Sequence, residues 1–348
     1  MMLPGGSVMT AEDAGIDLLY TSHAGIDIGG TRARMRYVDP RTGEIRHVET
    51  RCGQYASLDD VLRACFALAG CVPRRLVAGV AGRVLPGGDV HVTNQPSWPV
   101  FSKDAFAAAH GIDLRIVNDL VATAMGTAGL DENGYRPLLP GEDRAAATAR
   151  LVVAIGTGVG AAIVDADGNV RSSEAGHVPW QPVSGVEAEL LRFVRASTSA
   201  PVVTVEQVLG GLDGFRHLYD FLRARRGTAP ELRTGGADAE IGPLITAAAC
   251  AGDEFCRELL ALYGGILGQF LRGLLLVSLP EGAEIWLGGS VLQAPRVADL
   301  LMAETPFRER MVSRGAQHAD LMRRVPVLLI TAPDVAVQGA FAHSRPRD

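Results

Sequence analysis

The sequence predicts two related α/β lobes, each opening with a β-meander and continuing with alternating helices and strands. Three observations carry this expectation. The chain has 348 residues, 47% hydrophobic and 21% charged, which at about 150 residues per domain allows roughly two domains and a sizeable core. Strand-like apolar runs bounded by Gly, Pro and Asp alternate with stretches of helical periodicity. The early stretch IGGTRARMRYVDPRTGEI is matched, with small slips, by IGTGVGAAIVDADGNV further on, an internal similarity of the kind a duplication leaves.

The elements follow in order. The first 22 residues read as a loose extension with no signal-peptide pattern. From His23, GIDIGG, TRARMRYVD and EIRHVET read as three short strands separated by Gly-Gly and by PRTG. Ser57-Leu-Asp-Asp60 is a capping box in its Asp form. It opens a helix with Val61, Leu62, Cys65, Phe66 and Leu68 at helical spacing and Gly70 as its stop. RRLVAGVAG is a strand, Ser102 caps a short helix ending at Gly111, LRIV is a strand, and a helix begins near Asp119. DENGYRPLLPGEDRAAATAR, polar and Pro/Gly-rich, reads as a connection. A second meander starts at Leu151. Capping signals stand at Ser184-x-x-Glu187 and Thr204-x-x-Gln207. A long amphipathic region, 242–279, reads as core, and its apolar run near Leu267–Leu279, broken by Arg272, as too short to span a membrane. AEIWLGGSV and VPVLLIT are late strands, and Asp334 caps a last helix.

Composition narrows the function. Net charge is −6 and the pI about 5.8. Basic residues are scattered, so no nucleic-acid footprint is expected. The cysteines Cys52, Cys65, Cys71, Cys250 and Cys256 form no C-x-x-C pair, which points to reduced thiols in a cytoplasmic protein rather than disulfides or a zinc site.

Two glycine turns, Asp27-Ile-Gly-Gly-Thr31 and Gly156-Thr-Gly-Val-Gly160, could each cradle phosphate. Either alone reads first as a hairpin in which Gly supplies positive φ; two in matching places turn the reading toward phosphate. A strand and a turn follow GTGVGA where a dinucleotide fold needs a helix, and neither turn carries the Walker G-K-[ST]. Asn118 and Asp119 stand where a strand gives way to a helix. Asp119 could simply be an N-cap. Side by side at a strand's carboxyl end, the two can also hold a polyol, with the carboxylate as general base, worth roughly 10²–10⁴ in rate. Glu174 and His177 add a carboxylate and an imidazole in a loop after a Gly-rich hairpin. No G-x-S-x-G elbow supports serine-hydrolase chemistry.

Taken together, these residues resemble the bacterial glucokinase family, within the larger group of sugar kinases, actin and Hsp70 chaperones. IDIGGTRAR and AIGTGVG are similar to its two phosphate loops, TNQPSW to its sugar-side loop, IVNDL to its Asn-Asp pair, and SEAGH to its E-G-G-H. VEQVLGG and IWLGGSV resemble a later helix and the adenosine-side Gly pair. The order is kept from about Gly25 to Ala342, and no Cys-rich motif of the ROK branch is present. The resemblance implies two ribonuclease H-like (actin-like ATPase) lobes with a cleft between them: 23–130 with about 334–348 as a small lobe, and 131–333 as a large one. It implies a cytoplasmic, ATP- and Mg²⁺-dependent kinase acting on a hydroxymethyl group, with glucose as the default acceptor, no nucleic-acid or membrane partner, and a homodimer.

Carried over by position, Asp119 is the base. Asn118, Glu174, His177 and Asn94 hold sugar hydroxyls. Asp27 orients Mg²⁺ through water. Gly29, Gly30, Thr31, Thr157 and Gly158 line the phosphates, and Gly288 and Gly289 approach the adenosine. Three departures stand out: Arg32 where the family has Asn, Ala175 in place of the first Gly of E-G-G-H, and RASTSAPVVT where it has a sugar-binding Glu. Ser197 or Ser199 is nearest to that missing acid, whose hydrogen bond is worth about 1.5–3 kcal/mol. The loss keeps open a C7-cyclitol kinase of the valienone or valiolone type. A non-catalytic sugar-sensing regulator is the alternative of another class; Asp119, and an N-terminal stretch too short for a helix-turn-helix, weigh against it.

Overall fold

The computed structural model describes residues 19–346, apart from 94, 142–148, 233–240, 304, 314 and 316. Its contacts divide the chain into two compact units. One runs to Leu130 and resumes at Ala332; the other is Asp131–Thr331.

The first unit begins with an antiparallel meander, β1 (Leu19–Ile28), β2 (Arg32–Val38) and β3 (Ile45–Arg51). Helix α1 (Leu58–Ala69), β4 (Cys71–Val80), the small hairpin β5 (Arg83–Val84) and β6 (Val90–His91), α2 (Lys103–His110), β7 (Asp113–Asn118) and α3 (Asp119–Thr127) follow. The sheet order is β3-β2-β1-β4-β7, with β1, β4 and β7 parallel. β1 starts earlier than expected. Leu19 pairs with Cys71, and buried Thr21 donates to the Val38 carbonyl, so residues 19–22 belong to the sheet and not to a loose extension. The Ser57 hydroxyl accepts from the Asp60 amide at 3.1 Å, as the capping box requires, and α1 ends at Gly70 in a left-handed conformation. Ser102 sits at the start of α2 without a capping bond; the Lys103 amide donates to Asp89 instead.

The second unit carries β8 (Tyr135–Leu139), the meander β9 (Arg150–Ile155), β10 (Val159–Val164) and β11 (Val170–Ser173), then α4 (Gly185–Thr198), α5 (Glu206–Leu209), α6 (Gly214–Arg226), α7 (Gly242–Cys250) and α8 (Glu254–Ser278). After these come β12 (Glu284–Gly288), α9 (Ser290–Gln293), α10 (Val297–Ala303), α11 (Thr305–Val312), α12 (Ala319–Arg324) and β13 (Val327–Ile330). The sheet order is β11-β10-β9-β12-β13-β8. β9, β12 and β13 are parallel, so the topology of the first unit recurs, with antiparallel β8 added at the edge. β8 corrects the reading of that segment as connection only; Pro137 is tolerated there because an edge strand leaves one side of its backbone unpaired.

Helix α8 has 25 residues and is long and apolar enough to cross a membrane by length and composition, so the apolar stretch is longer than its Leu267–Leu279 part. Leu259, Tyr263, Ile266, Leu271 and Leu275 are buried in the core of the second unit, the pattern of a central packing helix. The final helix, α13 (Val335–Ser344), returns to the first unit, against β1 and α3. Contact there is backbone to backbone: a Cβ on Gly25 would lie 2.0 Å from the Phe341 nitrogen, and one on Gly339 2.2 Å from the Ala122 carbonyl oxygen.

Candidate active site

In the first unit the parallel strands end level. Ile28 pairs with Val80, and Val80 with Asn118. Asp27 and its turn, Ala81–Gly82, and Asn118–Asp119 therefore share the carboxyl edge of one sheet, where open α/β sheets bind ligands. Asn118 caps α3. Its Oδ1 accepts from the Leu120 amide at 2.9 Å, and its Nδ2 donates to the Gly82 carbonyl at 3.3 Å. The same Leu120 amide also reaches Asp119 Oδ1 at 2.9 Å, which fixes one carboxylate oxygen. Burial pushes the Asp119 carboxyl above its ordinary range, against the hydrogen bonds that favour its charge. Burial, and after it the charge of Asp119, push Asp27 up to about 6, with Arg34 pulling the other way. Two half-buried carboxylates, one of them raised by the charge of the other, are donor chemistry that a hydrated divalent cation satisfies.

The turn after Asp27 is held by its carbonyls. Gly29 accepts from the Cys52 thiol at 3.4 Å, Gly30 from Gln95 Nε2 at 3.1 Å and Thr31 from the Cys52 amide at 2.9 Å. In a trans peptide the C=O and N–H point opposite ways, so the amides of Gly30, Thr31 and Arg32 face away from those partners. Cys52 starts a short turn whose Tyr55 carbonyl accepts from the Trp98 indole at 3.1 Å, and the Trp98 amide donates to the Gln95 carbonyl. A ring of contacts thus ties the first turn to the TNQPSW segment. Arg32 stays out of the turn: its guanidinium pairs across the meander with Glu49 at 3.1 Å, beside Arg34 on the same carboxylate.

In the second unit β9 and β12 also end level, with Gly288 opposite Ala154. Gly289 has φ +90°, and a Cβ there would lie 2.3 Å from the Ile155 carbonyl oxygen, so the Gly288–Gly289 pair presses on the start of the second turn. Within that turn, the Gly156 amide donates to the Gly158 carbonyl at 3.0 Å. The Gly156 and Thr157 carbonyls accept from the Gly211 and Leu212 amides at 2.7 and 3.5 Å, and the Val159 amide donates to Glu206 Oε2 at 3.0 Å. Glu174 precedes and His177 ends a 3-10 turn over Ala175–His177; they contact each other at 3.3 Å, with side chains 85% and 63% exposed. Gly176 is wedged against the Val159 carbonyl, 2.0 Å from where its Cβ would stand, whereas Ala175 fits within the core. That asymmetry explains why Ala is accepted at 175.

The structure thus gathers Asp27, Gly29, Gly30, Thr31, Asn118 and Asp119 on one sheet edge, and Thr157, Gly158, Gly288 and Gly289 on the other. Asn94 lies outside the described residues. Ser197 donates to the Val194 carbonyl of its own helix, and Ser199 ends α4 with φ 52°. Both turns join antiparallel strands, but none of their glycines takes a positive φ, so positive φ is not why they are glycine. Reasoning from sequence missed Gln95, Cys52, Glu206 and Gly211. VEQVLGG held the only signal for the last two, an acid opening a helix with two glycines behind it.

A duplicated sheet of this topology, with a glycine turn after the first strand of each copy and an acid heading a helix at the sheet edge of the first, is the architecture of the actin-like sugar kinases. Solved structures agree. A glucokinase from an Antarctic psychrotroph matches with TM-score 0.75 and 28% identity, covering 92% of this chain and 98% of that one. The glucokinase of Balamuthia mandrillaris in complex with glucose matches with TM-score 0.70 over 93% of both chains; at 19% identity it bears on the fold alone. The family model for glucokinase matches residues 25–346, and the glucokinase of Caulobacter vibrioides (strain NA1000 / CB15N) is 31% identical over 328 residues, 90% of this chain and 92% of that protein. The chain belongs to the glucokinase family.

Proposed function

We propose that this protein transfers the γ-phosphoryl group of ATP to the hydroxymethyl oxygen of glucose or a glucose-like hexose. The observation that carries the mechanism is Asp119, a half-buried carboxylate at the head of α3 with one oxygen fixed by the Leu120 amide. Its other oxygen takes the proton of the acceptor hydroxyl as that oxygen bonds to phosphorus and the bond to ADP breaks. Burial that raises its pKa makes it the stronger base for this step. Mg²⁺, when bound, neutralises charge on the phosphates; Asp27 would hold it through water. Gly30, Thr31, Thr157 and Gly158 would offer main-chain amides to the phosphates; Gly29, whose amide donates to the Arg32 carbonyl at 2.9 Å, would line them without donating, and Gly288 and Gly289 would give room for the adenosine. Glu174, His177 and Asn118 would bind the remaining hydroxyls, Asn118 with what its capping role leaves. In this reading 23–130 with about 334–348 form the small lobe and 131–333 the large one. Phosphoryl transfer needs positioning and charge neutralisation more than covalent help, which suits main-chain amides and two carboxylates.

A coupled assay over glucose, mannose, glucosamine and valienone-type cyclitols tests this. The wild type is expected to turn over glucose, and Asp119→Ala to lose about 10²–10⁴ in kcat while calorimetry shows AMPPNP binding nearly unchanged. A variant retaining kcat within about tenfold removes Asp119 as base. Turnover confined to cyclitols moves the acceptor, and nucleotide or sugar binding without any turnover returns the sensing regulator.

A further inference from the structure

We propose that the first unit holds a further anion site, away from the glycine turns, where Arg36 and Arg345 converge on the ring of Phe341 beside His23. The class of ligand is a tetrahedral oxyanion, inorganic phosphate or a phosphate monoester.

β2 sets Arg32, Arg34 and Arg36 on one face of the sheet, two residues apart, with Arg34 opposite Asp27 and Arg36 opposite Gly25. α13 packs on that face at Gly25. Beside it lies a cavity of about 450 Å³, lined by Arg34, Arg36, His47, Glu49, Asp334 and Val337 among others. Its two ends differ in charge. At one, the charges are answered. Arg34 holds Glu49 at 3.1 Å and the Pro333 carbonyl at 3.0 Å, Arg32 holds the other Glu49 oxygen, and Asp334 accepts from Gln338 at 2.7 Å. At the other, the Arg36 guanidinium lies 5.5 Å from the centre of the buried Phe341 ring, and its Nε is buried without an acceptor. Arg345 lies 5.9 Å from the same centre, and His23 stacks on the ring at 4.8 Å. The Ser22 hydroxyl stands 2.9 Å from His23 Nδ1, and Nε2 is again buried without an acceptor. Burial, then the charges of Arg345 and Arg75, hold His23 below its ordinary range. The acids at this end of the sheet are engaged elsewhere, Asp39 and Glu44 by Arg46, and Asp113 by Arg75. An aromatic face attracts a guanidinium but leaves its N–H groups without acceptors, which is costly for buried donors. Two arginines and two unpaired nitrogens on one ring, with no acid among them, are a donor set complementary to an anion. The groups arrive from β1, β2 and α13. Three directions suit a phosphate, which has three acceptor oxygens or more, better than a carboxylate, which has two. His23 stands four residues before Asp27 on β1, roughly 13 Å away at the rise of a strand, so the cluster is separate from the first turn.

Calorimetry and thermal melts test this on the full chain, saturated with AMPPNP and Mg²⁺ so that the nucleotide occupies its own site. Inorganic phosphate and glycerol 2-phosphate are titrated at constant ionic strength, balanced with chloride. Saturable binding is expected, with a Tm that rises with ligand concentration. Arg36→Ala and Arg345→Ala are each expected to raise Kd about tenfold or more, and Arg115→Ala, at an exposed position of β7, to leave it within about twofold. Arg36→Lys, which keeps the charge and not the fork, is expected to recover part of the loss; Arg36→Gln stands in should the alanine variant fail to fold. Equal affinity for the two ligands assigns the site to the phosphate group alone, and tighter glycerol 2-phosphate assigns it to a monoester whose organic part lies in the cavity. A Tm that follows ionic strength only, binding that AMPPNP abolishes, or a Kd that both arginine variants leave within about twofold overturns the proposal.

Discussion

The turn after β1 and the turn after β9 occupy equivalent places in duplicated sheets, yet they are built differently. The first takes its carbonyl partners largely from side chains, the Cys52 thiol and the Gln95 amide, and keeps its acid, Asp27, on the strand itself. The second takes them from the main chain of a distant segment, and an acid from outside the turn, Glu206, accepts its Val159 amide with one carboxylate oxygen. Glycine has different causes too. A Cβ on Gly29 would meet nothing nearer than 3.6 Å, while one on Gly158 or Gly289 would collide. Similar motifs in one chain thus share an outcome, amides turned outward, without sharing its cause. The first turn has its carboxylate on its own strand; the second receives one from a helix 47 residues away.

Asp27→Asn tests the first half of that contrast and carries the largest effect. Asp27 is the group whose folded pKa, about 6, stands above its ordinary 3.8. A carboxyl raised in the folded state binds more protons folded than unfolded between those two values, so its contribution to stability falls as pH rises through that window. In metal-free protein Asp27→Asn is expected to remove this fall and to be more stable than wild type near pH 7, by about 1–2 kcal/mol. The same variant is expected to lose about a hundredfold or more in kcat, the scale of a lost charge partner in phosphoryl transfer. In the wild type, the acid limb of kcat/KM is expected above the usual carboxylate range, because the carboxylates must be ionised to act. Urea titrations at pH 5 and 7.5 together with the pH–rate profile check both. A variant that is active, or less stable at both pH values, breaks the account of Asp27 as strained for function.

How far this was legible in the sequence follows from the range of each contact. Ser57 with Asp60 and Ser184 with Glu187 are local caps, and the chain shows them as such. The meanders were legible because alternation and glycine turns are written in consecutive residues. Asp119 was legible because a carboxylate at the head of a helix is a local pattern. The contact of Glu206 was not, since its partner amide lies 47 positions away. Gln95 reaches across 65 positions to Gly30, and nothing near it in sequence announces that. Leu19–Ser22 looked loose because their strand partners, starting at Cys71, lie beyond α1. Arg32 looked like a perturbation of the first turn until its pairing with Glu49, set by the register of β2 on β3, turned it aside.

The steric half of the comparison is sharpened by Gly289→Ala against Gly29→Ala. At Gly289 a side chain meets both an unfavourable φ of +90° and the Ile155 backbone, with Cβ 2.3 Å from the carbonyl oxygen. The Ile155 atoms it meets are all backbone, so β9 or the start of α9 must shift. The cost expected is about 3 kcal/mol or more, read as a fall in the urea midpoint or as loss of soluble protein. Gly29→Ala, with ordinary space and no positive φ, is expected to cost under about 1 kcal/mol. Equal losses for the two would mean that the close approach of Gly289 to the Ile155 backbone is not what sets its cost apart.

The smallest effect, and the most specific to the first turn, belongs to Gln95→Ala. Its Nε2 holds the Gly30 carbonyl at 3.1 Å, and the same residue accepts the Trp98 amide through its own carbonyl. Only the first of these contacts is lost in the alanine variant, so the TNQPSW segment keeps its backbone anchor while the turn loses one of three. A neutral hydrogen bond of this kind contributes about 1 kcal/mol, or roughly fivefold in an equilibrium constant. The expected outcome is a rise of about that size in the KM for ATP, with Tm nearly unchanged. Because Gln95 is tied to the segment that carries Asn94, a matching rise in the acceptor's KM would show that the loop and the turn move as one piece. A rise in neither would mean that Cys52, through its thiol and its amide, suffices to hold the first turn, and the side-chain brace would then be narrower than the main-chain brace of the second.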